Sequence, residues 1–369
     1  LRQDPATIGF NFGIYIHWPF CLSKCPYCDF YSRATKCDNQ NSLIDEYLDD
    51  LNYYCEMTNK RTVTSIFFGG GTPSLISPHN IERIINFISK NWRLSPHAEI
   101  SLEANPNTQT PTMFSDLRHA GINRLSLGVQ ALNDADLKFL GRTHSLQEAF
   151  SAIEQVTKHF ANHSMDLIYA RPQQTLVQWQ TELQQAVKLG FKHLSLYQLT
   201  IEENTIFAKK GIQALEEQQA TELYNFTNQF LNHNGYPRYE VSNYAPKDTQ
   251  CRHNLLYWQG DDYLGIGKGA HGRLKRNGKF YALTHKREFE ELSPQERAEE
   301  LMIMGLRLDE GINKQHFFEI CGIHLDDFIN SEKATFLQNT NLISNNKNAL
   351  QATELGFLVL NHIIEVLCS

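Results

Sequence analysis

Six short β-rich runs, each followed by a stretch of helical periodicity, constrain this chain more than any other feature. The runs are GIYIHW from Gly13, VTSIFF from Val63, EISLEA from Glu99, RLSLGV from Arg124, MDLIY from Met165 and HLSLY from His193. Between them, Leu43, Tyr47, Leu51 and Tyr54, and again Ile81, Ile84, Ile85 and Ile88, are spaced for one face of a helix. Ser77-Pro78 and Thr110-Pro111 read as an N-cap followed by proline at the first helical position, and Ser145 with Glu148 has capping-box spacing. Repeated βα units require parallel strands and right-handed crossovers, so the choice lies between a doubly wound sheet and a complete or partial barrel. Periodicity alone does not choose between them.

The alternation stops near Ile212. A long helix is expected over Glu216 to Asn232, followed by an aromatic, turn-rich stretch in which Asn277-Gly278 reads as a type I′ hairpin that extends the sheet. After Ser293-Pro294, with Glu296 at capping-box spacing, the pattern is mainly helical, and residues 289–369 are read as a small helical C-terminal domain. The division expected is therefore 1–211, 212–288 and 289–369. No stretch reaches the ~18 consecutive apolar residues of a spanning helix. The opening LRQDPATIGFNF lacks the pattern of a secretory leader, so a cytoplasmic protein is expected. With 34 basic against 41 acidic residues the net charge is −7, which argues against nucleic acid as a partner.

Eight cysteines in 369 residues are too sparse for a disulfide scaffold. Three of them, Cys21, Cys25 and Cys28, stand as Cys-x3-Cys-x2-Cys directly after the first strand. Three thiolates on one loop can hold three irons of a 4Fe-4S cluster and leave the fourth open. The alternative is a structural zinc, which wants four ligands and would have to recruit His17. The scattered Cys37, Cys55, Cys251, Cys321 and Cys368 read as small buried hydrophobes.

This spacing, with Tyr27 just before the third cysteine, resembles the radical S-adenosylmethionine (SAM) proteins. Phe68-Gly69-Gly70-Gly71-Thr72-Pro73-Ser74 falls where that family places a glycine-rich turn against the amino group of SAM. By itself it reads as a tight turn. The resemblance further implies SAM contacts from Tyr15, Gly71, Thr72, Glu103, Gln130, Arg142 and Asp166. All lie at strand ends or in the loops after them, where an α/β barrel builds its site. Each also has a structural reading, such as Glu103 capping Asn105-Pro106 or Arg142 in a surface ion pair. In such proteins SAM chelates the open iron and an electron passing through the cluster yields a 5′-deoxyadenosyl radical.

Runs matching one branch of that family span nearly the whole chain, among them IYIHWPFC, RLSLGVQALND, LSLYQLTIEENT and LGIGKGAHG. The branch contains the oxygen-independent coproporphyrinogen III dehydrogenase and a related haem chaperone. The dehydrogenase carries a fourth cysteine where this chain has Phe30, and the chaperone type carries His-Asn-x-x-Tyr-Trp, here His253-Asn254-Leu255-Leu256-Tyr257-Trp258. An imidazole beside aromatic rings offers haem an iron ligand and a flat apolar surface, so His253, Tyr257 and Trp258 are the expected haem contacts, with Cys251 as a second candidate ligand. The alternative is an ordinary core histidine among aromatics. Two departures stand out: Arg171-Pro172-Gln173-Gln174-Thr175 replaces the family's Leu-Pro-Gly-Gln-Thr, and Lys268 stands where a small residue is common.

The resemblance thus implies an α/β fold, a partial (β/α)6 barrel with a strand extension and a small helical C-terminal domain, carrying a 4Fe-4S cluster, SAM and haem. It implies a haem chaperone serving haem-requiring acceptors, respiratory proteins among them, with membrane contact only peripheral and through an acceptor. The alternative is a radical-SAM oxidoreductase of porphyrin biosynthesis, against which Phe30 stands.

Overall fold

The computed structural model describes residues 11–58, 61–108 and 112–368. The helix start expected at Thr110-Pro111 lies outside them. All six expected strands are present: β1 (Phe12–Trp18), β2 (Thr62–Gly70), β3 (Arg93–Ala104), β4 (Arg124–Gln130), β5 (Asn162–Tyr169) and β6 (His193–Gln198). They pair in parallel and in chain order, with Tyr15 opposite Phe67, Glu103 opposite Ser126 and Asp166 opposite Ser195. Between them lie the helices α1 (Gln40–Thr58), α2 (Pro78–Asn91), α3 (Met113–His119), α4 (Leu146–His159) and α5 (Leu176–Lys188), of which α2 and α4 start where the caps indicate. Ser77 accepts from the Asn80 N–H, and Ser145 with Glu148 forms a complete capping box.

After α6 (Glu217–His233) come β7 (Arg238–Glu240) and β8 (Asn243–Tyr244), then α7 (Arg252–Gln259), β9 (Asp262–Ile266), β10 (His271–Arg276), β11 (Lys279–Thr284) and β12 (Phe289–Leu292). The twelve strands form one sheet in the order β12-β11-β10-β9-β1-β2-β3-β4-β5-β6-β8-β7, which does not close on itself. This is the expected open barrel with its strand extension. Asn277 and Gly278 have φ of 51° and 77°, the left-handed pair that a type I′ hairpin needs.

Strand alternation sorts the barrel into two environments. One face carries Ile14, Ile16, Ile66, Phe68, Leu102, Leu125, Leu127, Met165 and Leu194, which pack with Ile44, Leu51, Ile81, Ile84 and Val156 of the helices in one apolar core. The other face carries Tyr15, Ser101, Glu103, Arg124, Ser126, Ser164, Asp166 and Ser195, which surround an internal cavity of about 210 Å³. A barrel interior is ordinarily filled by branched apolar side chains. Here the short serines leave space, and charged groups occupy it.

The C-terminal part departs from its expected form. Phe289–Leu292 pair with β11, so the first residues assigned to the helical domain belong to the large sheet. Beyond α8 (Pro294–Gly305) the chain also builds a three-stranded sheet from β13 (Ile312–Asn313), β14 (Ile343–Asn345) and β15 (Ala349–Ala352), in the order β13-β15-β14. Runs of two to four residues are too short for an alternation to register in the sequence. This sheet and α8, α9 (Lys314–Cys321), α10 (Ser331–Asn339) and α11 (Leu360–Cys368) share a second apolar cluster that includes Met302, Phe317, Leu337, Leu350 and Ile363. No helix among the described residues is long and apolar enough to cross a membrane.

Candidate cofactor site

The cleft at the carboxyl ends of the strands has a volume of about 310 Å³, and Cys21, Cys25 and Cys28 line it. Their loop is a closed excursion: Phe20–Cys21 pairs with Arg33–Ala34, and the Cys28 N–H bonds the Cys25 carbonyl at 3.1 Å. Burial pushes the Cys28 thiol above its usual pKa. Among the described residues no three His, Cys, Asp or Glu side chains gather around a single metal position. His17, the fourth ligand of the zinc alternative, is turned elsewhere. Its Nε2 lies 2.9 Å from the Tyr31 carbonyl and its Nδ1 3.1 Å from the Tyr15 hydroxyl.

The glycine-rich turn follows β2 against the cysteine loop. The Gly71 N–H bonds the Trp18 carbonyl at 2.6 Å and the Thr72 N–H bonds the Phe20 carbonyl at 2.8 Å. A Cβ on Gly71 would sit 2.6 Å from the Phe20 carbonyl oxygen, so any larger residue would push the cysteine loop away. Glycine is required here by the approach of two loops, before any ligand is considered.

Glu103, Gln130, Arg142 and Asp166 all reach the same cleft, from β3, β4, the loop before α4 and β5. The Glu103 carboxylate accepts the Gly70 N–H at 3.2 Å. Burial, helped by the charge of Asp166, raises its pKa to about 8. Burial likewise raises Asp166 to about 6, opposed by hydrogen bonds from Ser126 and Ser195. Gln130 lies at a β-bulge opposite β5 with φ 73°, which re-aims its side chain into the cleft. Its Oε1 is buried and has no partner among the described residues. An acceptor left unpaired beside a raised carboxyl suits a ligand with an ammonium group. Arg142 places Nη1 3.3 Å from the Cys25 sulfur and 3.5 Å from the Tyr27 hydroxyl, and its Nη2 bonds Asn105 Oδ1 and the Gly128 carbonyl. It is no surface ion pair. The donor set therefore fits both groups that the cysteine loop implies, a cluster on the three thiols and an amino-acid-bearing ligand beside it.

Tyr15 does not line this cleft. It lies inside the barrel, stacked on Phe67 with ring centroids 6.2 Å apart. Asn105, by contrast, was not singled out by sequence, yet it bonds Arg142 and, through Nδ2, Thr72 Oγ1 at 3.2 Å. Its position directly after the third strand was the available signal. Tyr197, at the end of β6, also lines the cleft.

The haem set is divided. His253 is fully buried where α7 closes the amino ends of the strands, with Nδ1 2.7 Å from Ser65 Oγ and Nε2 2.6 Å from the Tyr257 hydroxyl. Burial lowers its pKa to about 3. Both ring nitrogens are engaged by protein groups, and helix packing against β1 and β2 turns the ring inward. Cys251 is equally buried, and burial with the nearby Glu99 pushes its thiol up to about 12. Glu99 Oε1 accepts the Arg252 N–H at 2.9 Å and the His253 N–H at 3.4 Å, pinning the start of α7 to the barrel. Trp258 alone of the three faces a separate cleft, against the C-terminal part.

The two departures separate as well. Arg171 is buried and paired with Glu182 and Asp136, and it bonds the Ile168 carbonyl, so its cation does not enter the cofactor cleft. Lys268 is exposed between Gly267 and Gly269, each at φ 93°. A Cβ on Gly269 would meet the Tyr31 ring at 2.5 Å, so this turn packs beside the cysteine loop.

Comparison with known proteins agrees with this arrangement. The family profile described as radical SAM superfamily matches residues 15–185, and that of the HemN C-terminal domain matches residues 292–359. The chain is 36% identical to the heme chaperone HemW of Haemophilus influenzae over 96% of its own length and 97% of the relative's. It is 35% identical to the heme chaperone HemW of Buchnera aphidicola with the same coverage. It is 32% identical to the mitochondrial radical S-adenosyl methionine domain-containing protein 1 of Bos taurus, over 100% and 89% of the two chains. The structure of the Escherichia coli coproporphyrinogen III oxidase HemN superposes with a TM-score of 0.80 over 98% of this chain and 90% of that one, at 20% identity, which shows a shared fold. Relatives matched over nearly the whole chain and the two family profiles point the same way, and the chain belongs to the HemW family of the radical SAM superfamily.

Proposed function

We propose that this protein is a haem chaperone of the cytoplasm, which takes up haem and passes it to haem-requiring acceptors, and that it carries a 4Fe-4S cluster with SAM. The observation that carries the reading is the end-to-end match to proteins named heme chaperone HemW. The second residue after the cysteine triad supports it: Phe30, where the dehydrogenase branch has a further cysteine, is 60% exposed on the rim of the cleft.

In this reading Cys21, Cys25 and Cys28 hold the cluster, and Gly71, Thr72, Glu103, Gln130, Arg142 and Asp166 surround SAM. A cluster with SAM on its open iron supplies one-electron reductive chemistry. The chain's own contributions are electrostatic and steric. Arg142 sets a fixed positive charge against the Cys25 sulfur, offsetting negative charge on the cluster's thiolates. Glu103 gives up its proton readily once an ammonium group lies beside it, because an opposite charge favours the carboxylate. Gln130 offers its unpaired carbonyl oxygen to the same group. Tyr27, packed against Phe207 and lining the cleft beside the cysteines, limits water at the sulfurs.

The deciding experiment is anaerobic reconstitution followed by haem titration, transfer to a haem-free acceptor protein, and a parallel assay of coproporphyrinogen III consumption. Haem uptake and transfer without porphyrinogen turnover is expected. Turnover of coproporphyrinogen with no haem uptake would replace this reading with the dehydrogenase.

A further inference from the structure

We infer that Asn105 is a positioning residue for the cluster: its side-chain carbonyl holds the Arg142 guanidinium on the Cys25 sulfur without neutralising it, and so sets the reduction potential of the iron–sulfur centre. The inference rests on the cluster assignment and adds a residue to which the cysteine spacing does not point. Asn105 directly follows β3 and lines the cofactor cleft beside the cysteine loop. Its Oδ1 accepts from Arg142 Nη2 at 2.5 Å and its Nδ2 donates to Thr72 Oγ1 at 3.2 Å, so one amide joins the glycine-rich turn to the arginine. Arg142 Nη2 also donates to the Gly128 carbonyl at 3.0 Å. With Nη2 fixed by two carbonyls, the planar guanidinium aims Nη1 at Cys25, 3.3 Å away, and at the Tyr27 hydroxyl.

The backbone makes room for this contact. A Cβ on Gly128 would stand 3.2 Å from Asn105 Oδ1, and one on Gly141 would collide with the Pro26 ring of the cysteine loop, so the amide and the loop carrying Arg142 both approach past glycines. The charge state of the arginine is unusual for this fold. Arg124, Arg171, Arg238 and Arg297 are buried, and each has a carboxylate oxygen within 3.5 Å. Arg142 bonds a thiol sulfur, a hydroxyl, an amide and a backbone carbonyl, with no carboxylate among them. Asp166 feels its charge across the cleft without bonding it. A positive charge left unneutralised beside a cluster sulfur favours the reduced state, which carries one more electron, and an N–H aimed at the sulfur acts in the same sense. An aspartate has the same shape as Asn105 and would hold the guanidinium as firmly, but it would cancel that charge. The neutral amide holds without cancelling.

The test is an EPR-monitored redox titration of the full chain, reconstituted under anaerobic conditions, with iron content read in parallel. Wild type is compared with Asn105→Asp, Asn105→Ala, Arg142→Ala and the double variant carrying both alanines. Asn105→Asp should keep the iron content of wild type, since Thr72 can turn its hydroxyl to donate to the new carboxylate, while the midpoint potential shifts to a more negative value. A purely structural role would not separate the two readouts. Asn105→Ala should shift the midpoint in the same direction alone and add nothing to Arg142→Ala, because the amide acts through the guanidinium. A wild-type cluster whose potential is unchanged in both Asn105 variants, or an equal shift from Asn105→Ala with and without Arg142, overturns the role and leaves the cluster assignment standing. A wild-type protein that takes up no cluster overturns both.

Discussion

The guanidinium of Arg142 lies 3.3 Å from the sulfur of Cys25 although 117 residues separate them in the chain. It ties the loop before α4 to the cysteine loop, and through Asn105 to the glycine-rich turn as well. Arg142→Ala should therefore lower the iron content retained after anaerobic desalting. It should also destabilise the fold by about 1–3 kcal/mol, since the Gly128 carbonyl and the Asn105 oxygen lose their donor. Arg142→Lys should keep part of the iron but not the stability, because an ammonium group lacks the guanidinium's planar fork and cannot serve all four partners. Iron analysis and urea unfolding of the three proteins decide it.

Replacing Cys21, Cys25 or Cys28 with serine should abolish the visible absorption of the reconstituted cluster. Cys321→Ser should leave it intact, since that thiol is buried in the second apolar cluster and bonds the Phe317 carbonyl at 3.1 Å. A full cluster spectrum in any triad variant would remove the assignment.

The Glu103 carboxyl titrates at about 8 in the fold against an ordinary value of 4.5. Between these pH values the folded protein keeps a proton that the unfolded chain has released. Its contribution is thus complete below pH 4.5 and lost as pH rises through 8. Glu103→Gln should raise the urea midpoint at pH 8.5 relative to wild type and change it less at pH 5. The same variant should bind SAM more weakly, measured as the loss of the SAM-induced change in the EPR signal of the reduced cluster.

His253 works in the opposite direction. Burial holds its pKa at about 3 against 6.5, so the unfolded chain binds a proton that the fold refuses. The neutral ring contributes fully above pH 6.5, and that stability is lost as pH falls toward 3, at about 1.4 kcal/mol per pH unit. Wild type should lose more stability than His253→Gln between pH 7 and 5, read from denaturant midpoints. Equal losses would show that other groups, such as the similarly depressed His193, dominate the acid limb.

Arg171→Met should destabilise the protein by about 3–5 kcal/mol by leaving Glu182 buried without its cation. Glu182 also accepts the Leu132 N–H at 2.7 Å, so the defect should spread to the turn after β4. Cluster content per folded molecule should not change, because the ion pair lies outside the cofactor cleft. Double replacement by Arg171→Met with Glu182→Leu should recover much of the loss.

Much of this molecule was legible from its order of residues. Each barrel strand is a local run with a period of two and each helix has a period near 3.6, so Gly13 to Tyr197 could be read element by element. The caps at Ser77, Ser145 and Ser293 were legible for the same reason, since a cap bonds a backbone three residues away. The Cys-x3-Cys-x2-Cys spacing is also local, and it named the chemistry before any fold was known. The strands β13 to β15 were missed because two to four residues carry no period, and only their pairing with one another makes them strands.

Orientation across the barrel was beyond the sequence. Glu103 and Asp166 alternate with leucines and could be assigned to the inner face, but their raised pKa values come from sharing one buried space, which depends on neighbouring strands. His253 and Trp258 stand five residues apart on one short helix, more than one full turn, so spacing leaves open which of them meets a ligand. The packing of α7 against β1 and β2 turned the imidazole onto Ser65 and Tyr257 and left the indole to the outer cleft. Local periodicity therefore determined the elements, the caps and the cysteine chemistry, because each depends on interactions a few residues apart. Burial and facing were decided only when elements far apart in the chain competed for the same space.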